Sequence, residues 1–181
     1  MAKYIIIDRD GTLIEHIPYL CDPGSVRILP TVKQGLQLLQ QAGCRLFLHT
    51  NQSGIGRGYF SHEAAVRCNE EMIRQLGLGP DLFERICMAP EAPDQTINYR
   101  KPSAKFGLEI MHAFSAGKEH LCYIGDNVTD LMTARNLGCK GIGVNTALHD
   151  LNSMLQEKGL REAFPVFDSF ARAAAHVIDV C

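Results

Sequence analysis

The sequence predicts an α/β fold in three layers, with a mostly parallel sheet between two sets of helices. Three observations carry this expectation. Short apolar runs of strand length alternate with longer segments whose apolar residues recur at helical spacing. Glycines stand where the helical patterns end. Strand, helix, strand, helix is the succession that covers both faces of a parallel sheet. With 181 residues, 46% of them apolar, the chain has material for one core, and a single domain over 1–181 is expected.

The elements follow in order. "YIIID" (4–8) is the first strand. Val32, Leu36 and Leu39, at i, i+4 and i+7, mark a helix that Gly43 closes. "RLFLHT" (45–50) is the second strand. Ala65, Cys68, Met72 and Leu76 mark the next helix, with Ser61 as its cap ahead of His62 and Gly77 at its end. "RICMA" (85–89) comes third, then a helix carrying Phe106, Ile110 and Phe114 with Gly117 as its stop. "LCYIGD" (121–126) and "KGIGVN" (140–145) flank a helix ended by Gly138. "FDSFARAAAHVIDV" reads as a last helix that packs Phe170, Ala174 and Val177.

Composition excludes several classes. Charged residues make up 21% and the net charge is −2, so no global positive field draws the chain to nucleic acid or acidic lipid. No apolar run reaches bilayer length, and the run after Lys3 stops at Asp8, too soon for a secretory signal. A cytoplasmic location is expected. The seven cysteines are odd in number and none forms a C-x-x-C pair. Cys44, Cys122 and Cys139 lie in or beside strand-like runs, as reduced core residues would.

Open parallel sheets bind ligands beyond the carboxyl ends of their strands. Here those ends carry Asp8 and Asp10, then Thr50 and Asn51, then Arg100 and Lys101 after a longer loop, then Asp126 and Asp130. Clustered carboxylates repel one another unless a cation sits among them, and Asp8, Asp10 and Asp126 are oxygen donors of the kind Mg²⁺ takes. Thr50, Asn51 and Lys101 supply donors for phosphate oxygens. Metal and lysine together would neutralise a transferring phosphoryl group. Asp8 is then a nucleophile that forms an aspartyl-phosphate, and Asp10, two residues on, an acid for the leaving oxygen and a base for water. Gly11 allows the sharp turn behind the nucleophile.

"DRDGT", "HTNQSG", "RKP" and "GDNVTD", in this order, resemble the four motifs of the haloacid dehalogenase (HAD) superfamily of phosphohydrolases. The resemblance spans roughly residues 4–146 and implies a Rossmann-like sheet, one Mg²⁺ per site, Asp8 as nucleophile and Asp10 as general acid and base. It implies Thr50 and Lys101 as phosphate ligands and Asp126 as a metal ligand. Asp130 would orient Lys101 or metal-bound water; the alternative is support of a helix N-terminus. Too few residues separate Gly11 from Pro30, and Gly58 from Arg100, for a large cap domain. "DRDGTL", "TNQSGIGRG" and "RKP" look most like the capless branch that holds D-glycero-D-manno-heptose 1,7-bisphosphate phosphatase and the histidinol-phosphate phosphatases. By position, His16 and Tyr19 match a substrate-lining loop, with surface packing as the other reading. Thr50, Asn51, Gln52 and Ser53 match a phosphate-contacting loop, and Arg100 an arginine for substrate recognition. Arg9 and Asn127 complete the expected substrate contacts.

Two departures bear on substrate. Members of that branch often carry a zinc loop, Cys-x-His and then Cys-x-Cys, ahead of Arg-Lys-Pro. Here Cys87 survives, but Ala89, Ile97 and Tyr99 stand at the other positions, and one ligand cannot make a tetrahedral site. No structural zinc is expected. Asn127 stands where the heptose enzymes typically have a lysine. The expectation is a Mg²⁺-dependent phosphatase of a small phosphorylated metabolite, a heptose-type sugar phosphate first. Histidinol phosphate is the alternative, followed by a polynucleotide 3′-phosphate, since "TNQSGIGRG" and "YRKP" also resemble the phosphatase domain of polynucleotide kinase/phosphatase and the zinc-free loop fits it, and then a non-catalytic binding module. Specificity would come from the loops at 14–27, 53–60 and 89–100, or from a partner subunit.

Overall fold

The computed structural model of the protein describes residues 3–146 and 149–180. Six parallel strands form one sheet: β1 (Tyr4–Ile7), β2 (Arg45–Asn51), β3 (Arg85–Ala89), β4 (Leu121–Gly125), β5 (Lys140–Val144) and β6 (Val166–Phe167). Their spatial order is β3-β2-β1-β4-β5-β6. The helices are α1 (Val32–Gln41), α2 (Ser53–Gly56), α3 (His62–Leu76), α4 (Lys105–Phe114), α5 (Val128–Leu137), α6 (Leu151–Glu157) and α7 (Phe170–Val180).

Period-two alternation assigns the strand residues to two cores. Ile5 and Ile7 of β1, with Leu46, Leu48, Cys122 and Ile124, pack against α1, α3 and α7. Tyr4 and Ile6, with Phe47, Leu121 and Tyr123, pack against Phe106 and Ile110 of α4 and Ala134 and Leu137 of α5. Buried on both faces, β1 reads as unbroken isoleucine rather than as an alternating strand. The stretches after β1 and after β2 hold no inserted domain.

Five strands match the sequence-based expectation to within one residue at each end. The sixth was not foreseen: Phe167, assigned to the last helix, pairs with Val144 instead, and the helix starts at Phe170. A two-residue strand is too short to show a period. Gly117 was expected to close α4, but its φ is −75° and it precedes a short 3₁₀ turn. Ser115 takes the left-handed position instead, at φ 50°. Gly43, Gly77 and Gly138 have the expected positive φ. Among the described residues no helix is long and apolar enough to cross a membrane. Cys181 lies outside them.

Candidate active site

The site starts where β1 ends. The amide of Asp8 donates to the carbonyl of Ile124 at 2.9 Å, so the ladder with β4 runs one residue past Ile7 and fixes Asp8 at the sheet edge. Gly11, at φ 84°, then turns the chain, and the carbonyl of Arg9 accepts the amides of Leu13 and Ile14 at 2.8 and 3.1 Å. Asp8 is 5% exposed. Its Oδ1 meets Lys101 Nζ at 2.5 Å, and its Oδ2 lies 3.2 Å from the Thr12 hydroxyl. That hydroxyl also lies 3.0 Å from Asp126 Oδ1.

Lys101 arrives from the loop after β3. Its amide donates to Asn51 Oδ1 at 2.9 Å, which ties this loop to the end of β2. Its ammonium sits between Asp8 and Asp130, 2.6 Å from Asp130 Oδ1. Burial draws the Lys101 ammonium down, but Asp130 and Asp8 outweigh this and hold it well above its usual value. Asp130 serves both alternatives read from the sequence. Beside its contact with Lys101, its Oδ2 accepts the Asn127 amide at 3.0 Å and Asn127 Oδ1 accepts the Thr129 amide, a reciprocal cap on α5.

Asp8, Asp126 and Asp130 each bring a carboxylate oxygen within 4.8 Å of the others. One lysine does not balance three buried acids. Burial, then repulsion by Asp8 and Asp130, raises Asp126 far above the carboxylate range. Burial raises Asp130 too, against the pull of Lys101. Acids that must take up protons when alone are acids that a divalent cation would satisfy, and an all-oxygen donor set suits Mg²⁺.

Of the expected metal set Asp8, Asp10 and Asp126, the first and last bring their carboxylates to this cluster. The carboxylate of Asp10 lies outside the acidic cluster, and that of Asp130 lies inside it. Asp10 Oδ2 accepts from Arg9 Nε at 3.1 Å, Thr50 Oγ1 at 3.0 Å and Gln52 Nε2 at 3.1 Å, and Oδ1 accepts from Arg9 Nη2 at 3.0 Å.

Arg9 supports Asp10. Its side chain is fully buried and forks between Asp10 and Asn69 Oδ1, the latter at 2.7 Å from Nη1. The guanidinium therefore holds Asp10, and Arg9 lines a cleft together with it. Asn127 is likewise drawn into the α5 cap. A cleft of about 290 Å³ opens beside Asp10, lined by His16, Tyr19, Asn51, Gln52, Ser53 and Phe60 among others. Arg100 is half-buried, with Nη1 3.2 Å from the carbonyl of Glu91. A larger hollow of about 520 Å³ lies against β3, the edge strand, and is lined by none of these acids.

The loop from Cys87 to Tyr99 is held by side-chain hydrogen bonds. Glu91 Oε1 accepts the amides of Asn98 and Tyr99 at 3.0 and 2.6 Å, and Gln95 Oε1 accepts that of Ala92 at 2.8 Å. Burial, helped by Glu109 and Glu91, pushes the Cys87 thiol up to about 12. Sequence reasoning gave no role to Thr12 or Asn69. Asn69 had a signal: it is a polar residue on the buried stripe of α3, four after Ala65 and three before Met72.

Fold and site together define a hydrolase of phosphate esters, and the comparisons with known proteins agree. The HAD-hydrolase-like family model matches residues 98–173. A probable D-glycero-D-manno-heptose-1,7-bisphosphate 7-phosphatase of Thermoplasma acidophilum is 36% identical over 138 residues, covering 75% of this chain and 86% of that protein. The histidine biosynthesis bifunctional protein HisB of Legionella pneumophila is 32% identical over 141 residues, 76% of this chain and 40% of that protein. The crystal structure of the D,D-heptose 1,7-bisphosphate phosphatase of B. bronchiseptica, complexed with magnesium and phosphate, superposes with a TM-score of 0.88 at 28% identity, covering 99% of both chains. The chain belongs to the HAD-like hydrolases, among the phosphatases of that family.

Proposed function

We propose that the chain is a Mg²⁺-dependent phosphatase of a sugar phosphate, a heptose bisphosphate first. The observation that carries this reading is the buried constellation of Asp8, Asp126 and Asp130 around Lys101, with Asp10, two residues on from Asp8, in the wall of a cleft. The likeness to heptose bisphosphate phosphatases supports the sugar, and the magnesium and phosphate bound to the B. bronchiseptica enzyme support the metal. Asp8 and Asp126 would hold the ion with Asp130 next to them, and Mg²⁺ when bound would add positive charge against the phosphoryl oxygens.

An Asp8 oxygen attacks phosphorus, and the bond from phosphorus to the sugar oxygen breaks. Asp10 gives that oxygen its proton. Water then attacks the aspartyl-phosphate and gives a proton to Asp10, the bond from phosphorus to Asp8 breaks, and phosphate leaves. Lys101 and Thr50 hold phosphoryl oxygens, while Arg9 and Gln52 fix the Asp10 carboxylate. Cys21, Cys68 and Cys87 are free thiols, which suits a reducing cytoplasm.

The test is phosphate release with Mg²⁺ over heptose and hexose phosphates, their bisphosphates, histidinol phosphate and a 3′-phosphorylated oligonucleotide. Release from sugar phosphates is expected, and it should vanish in EDTA and fall by at least about a thousandfold in Asp8→Asn. Near wild-type turnover by Asp8→Asn would remove the nucleophile. Preference for histidinol phosphate would favour the second reading, which the match to HisB keeps open.

A further inference from the structure

Among the described residues six large hydrophobics are exposed, and two of them touch each other: Tyr19, 47% exposed, and Tyr59, 60% exposed. Their ring centroids lie 4.8 Å apart at an interplanar angle of 84°, edge to face. They come from different loops, one after β1 and one after β2; Tyr19 lines the cleft beside Asp10, and Tyr59, next to the cleft-lining Phe60, packs on Tyr19 from outside.

Both rings stand on fixed bases. The Leu20 amide donates to Ile17 across the turn that carries Tyr19, and Leu20 is buried. The Tyr59 amide donates to Gly54 at 2.8 Å, and Gly58, at φ 72°, makes the turn before it. Tyr19 itself has φ 54°, a conformation that a bulky residue rarely adopts. Strain of this kind persists only where the surroundings impose it, and it gathers at ligand sites. Two aromatic rings left in water, one of them lining a cleft and the other packed on it, keep apolar area unburied until something covers it.

We infer that Tyr19 and Tyr59 form an aromatic gate that selects substrates whose organic group carries a saturated sugar ring. This rests on reading the cleft as the substrate site of a phosphatase. A phosphate held near Asp8 and Lys101 leaves its organic group in the cleft. A pyranose has an apolar C–H face that packs on an aromatic ring, and hydroxyl groups around its edge. The cleft wall supplies His16, Asn51 and Ser53 for those hydroxyls. Its volume, about 290 Å³, suits one sugar rather than a duplex.

The test compares wild type with Tyr59→Ala, Tyr59→Phe and Tyr19→Gly. Phosphate release from hexose and heptose phosphates is measured beside release from glycerol phosphate, which has no ring. In Tyr59→Ala and Tyr19→Gly, kcat/KM for ring substrates should fall about three- to tenfold, mostly through KM, while that for glycerol phosphate changes less than about twofold. Tyr59→Phe should keep the preference. The chain has five tyrosines and no tryptophan, so a tyrosine difference spectrum on adding sugar phosphate with Mg²⁺ reads the contact without turnover. It should appear in wild type, shrink in Tyr59→Ala and be absent with inorganic phosphate. Equal loss on ring and acyclic substrates, or an unchanged spectrum in Tyr59→Ala, overturns the gate. A gain for histidinol phosphate over sugars in wild type, lost in Tyr59→Ala, overturns the sugar assignment. If wild type releases no phosphate from any substrate but the spectrum behaves as stated, the phosphatase reading fails and the ring site stands.

Discussion

Thr12 shows most sharply how the site works residue by residue. One hydroxyl proton is shared between Asp8 Oδ2 at 3.2 Å and Asp126 Oδ1 at 3.0 Å. The hydroxyl therefore sets the angle between the proposed nucleophile and the proposed metal ligand without touching substrate. Thr12→Val keeps shape and burial and removes the proton. It should lower kcat about ten- to a hundredfold, in the range for residues that orient ligands, with little change in melting temperature. A variant with wild-type kcat would show that β1 and β4 alone hold the two acids. The residue types at the strand ends were legible because carboxylate, hydroxyl and lysine are chemically distinctive there. Their partners were not. Nothing in the sequence tells that Asp10 turns toward Arg9, Thr50 and Gln52, because that direction is set by three residues from two elements.

At the scale of elements, strand positions were legible because unbroken apolar runs separated by glycines leave few other readings. Helix contacts were less so. Val32, Leu36 and Leu39 identify the buried stripe of α1, but not the helix that meets it. The structure answers with α7, whose Phe170 ring lies against Gly35 of α1. A Cβ added to Gly35 would stand 2.6 Å from the Phe170 ring and 3.2 Å from the backbone of Ala171. Neither an aromatic ring packed in the core nor a backbone atom gives way cheaply. Gly35→Ala gains helix propensity of roughly 1 kcal/mol and loses about 1–3 kcal/mol to overpacking. Net destabilisation in urea is therefore expected, with the active-site residues untouched and turnover at permissive temperature unchanged. A stabilised variant would show that α7 can slide away from α1 at no cost.

For the whole molecule, the two cores differ in what they bury. The face under α1, α3 and α7 buries mostly apolar side chains, with Asn69 of α3 bonded to Arg9, whereas the face under α4 and α5 encloses an ionisable ring, His49, 1% exposed, against Phe106 and Tyr123. Nε2 of His49 lies 2.9 Å from the carbonyl of Tyr99 and must donate to it, so Nδ1 carries no proton and has no hydrogen-bond partner. Burial, with Lys101 nearby, lowers this imidazole from 6.5 to about 3. The unfolded chain takes up a proton at His49 below pH 6.5 and the folded chain does not until about pH 3. Stability from this group is complete above pH 6.5 and is lost as the pH falls across that window, at about 1.4 kcal/mol per unit. His49→Gln keeps a donor for Tyr99 and cannot titrate. Its unfolding free energy between pH 6.5 and pH 4 should fall less steeply than that of wild type, by a slope equivalent to about one proton. Parallel slopes would mean that acid unfolding starts elsewhere and that the buried imidazole is not what limits the fold at low pH.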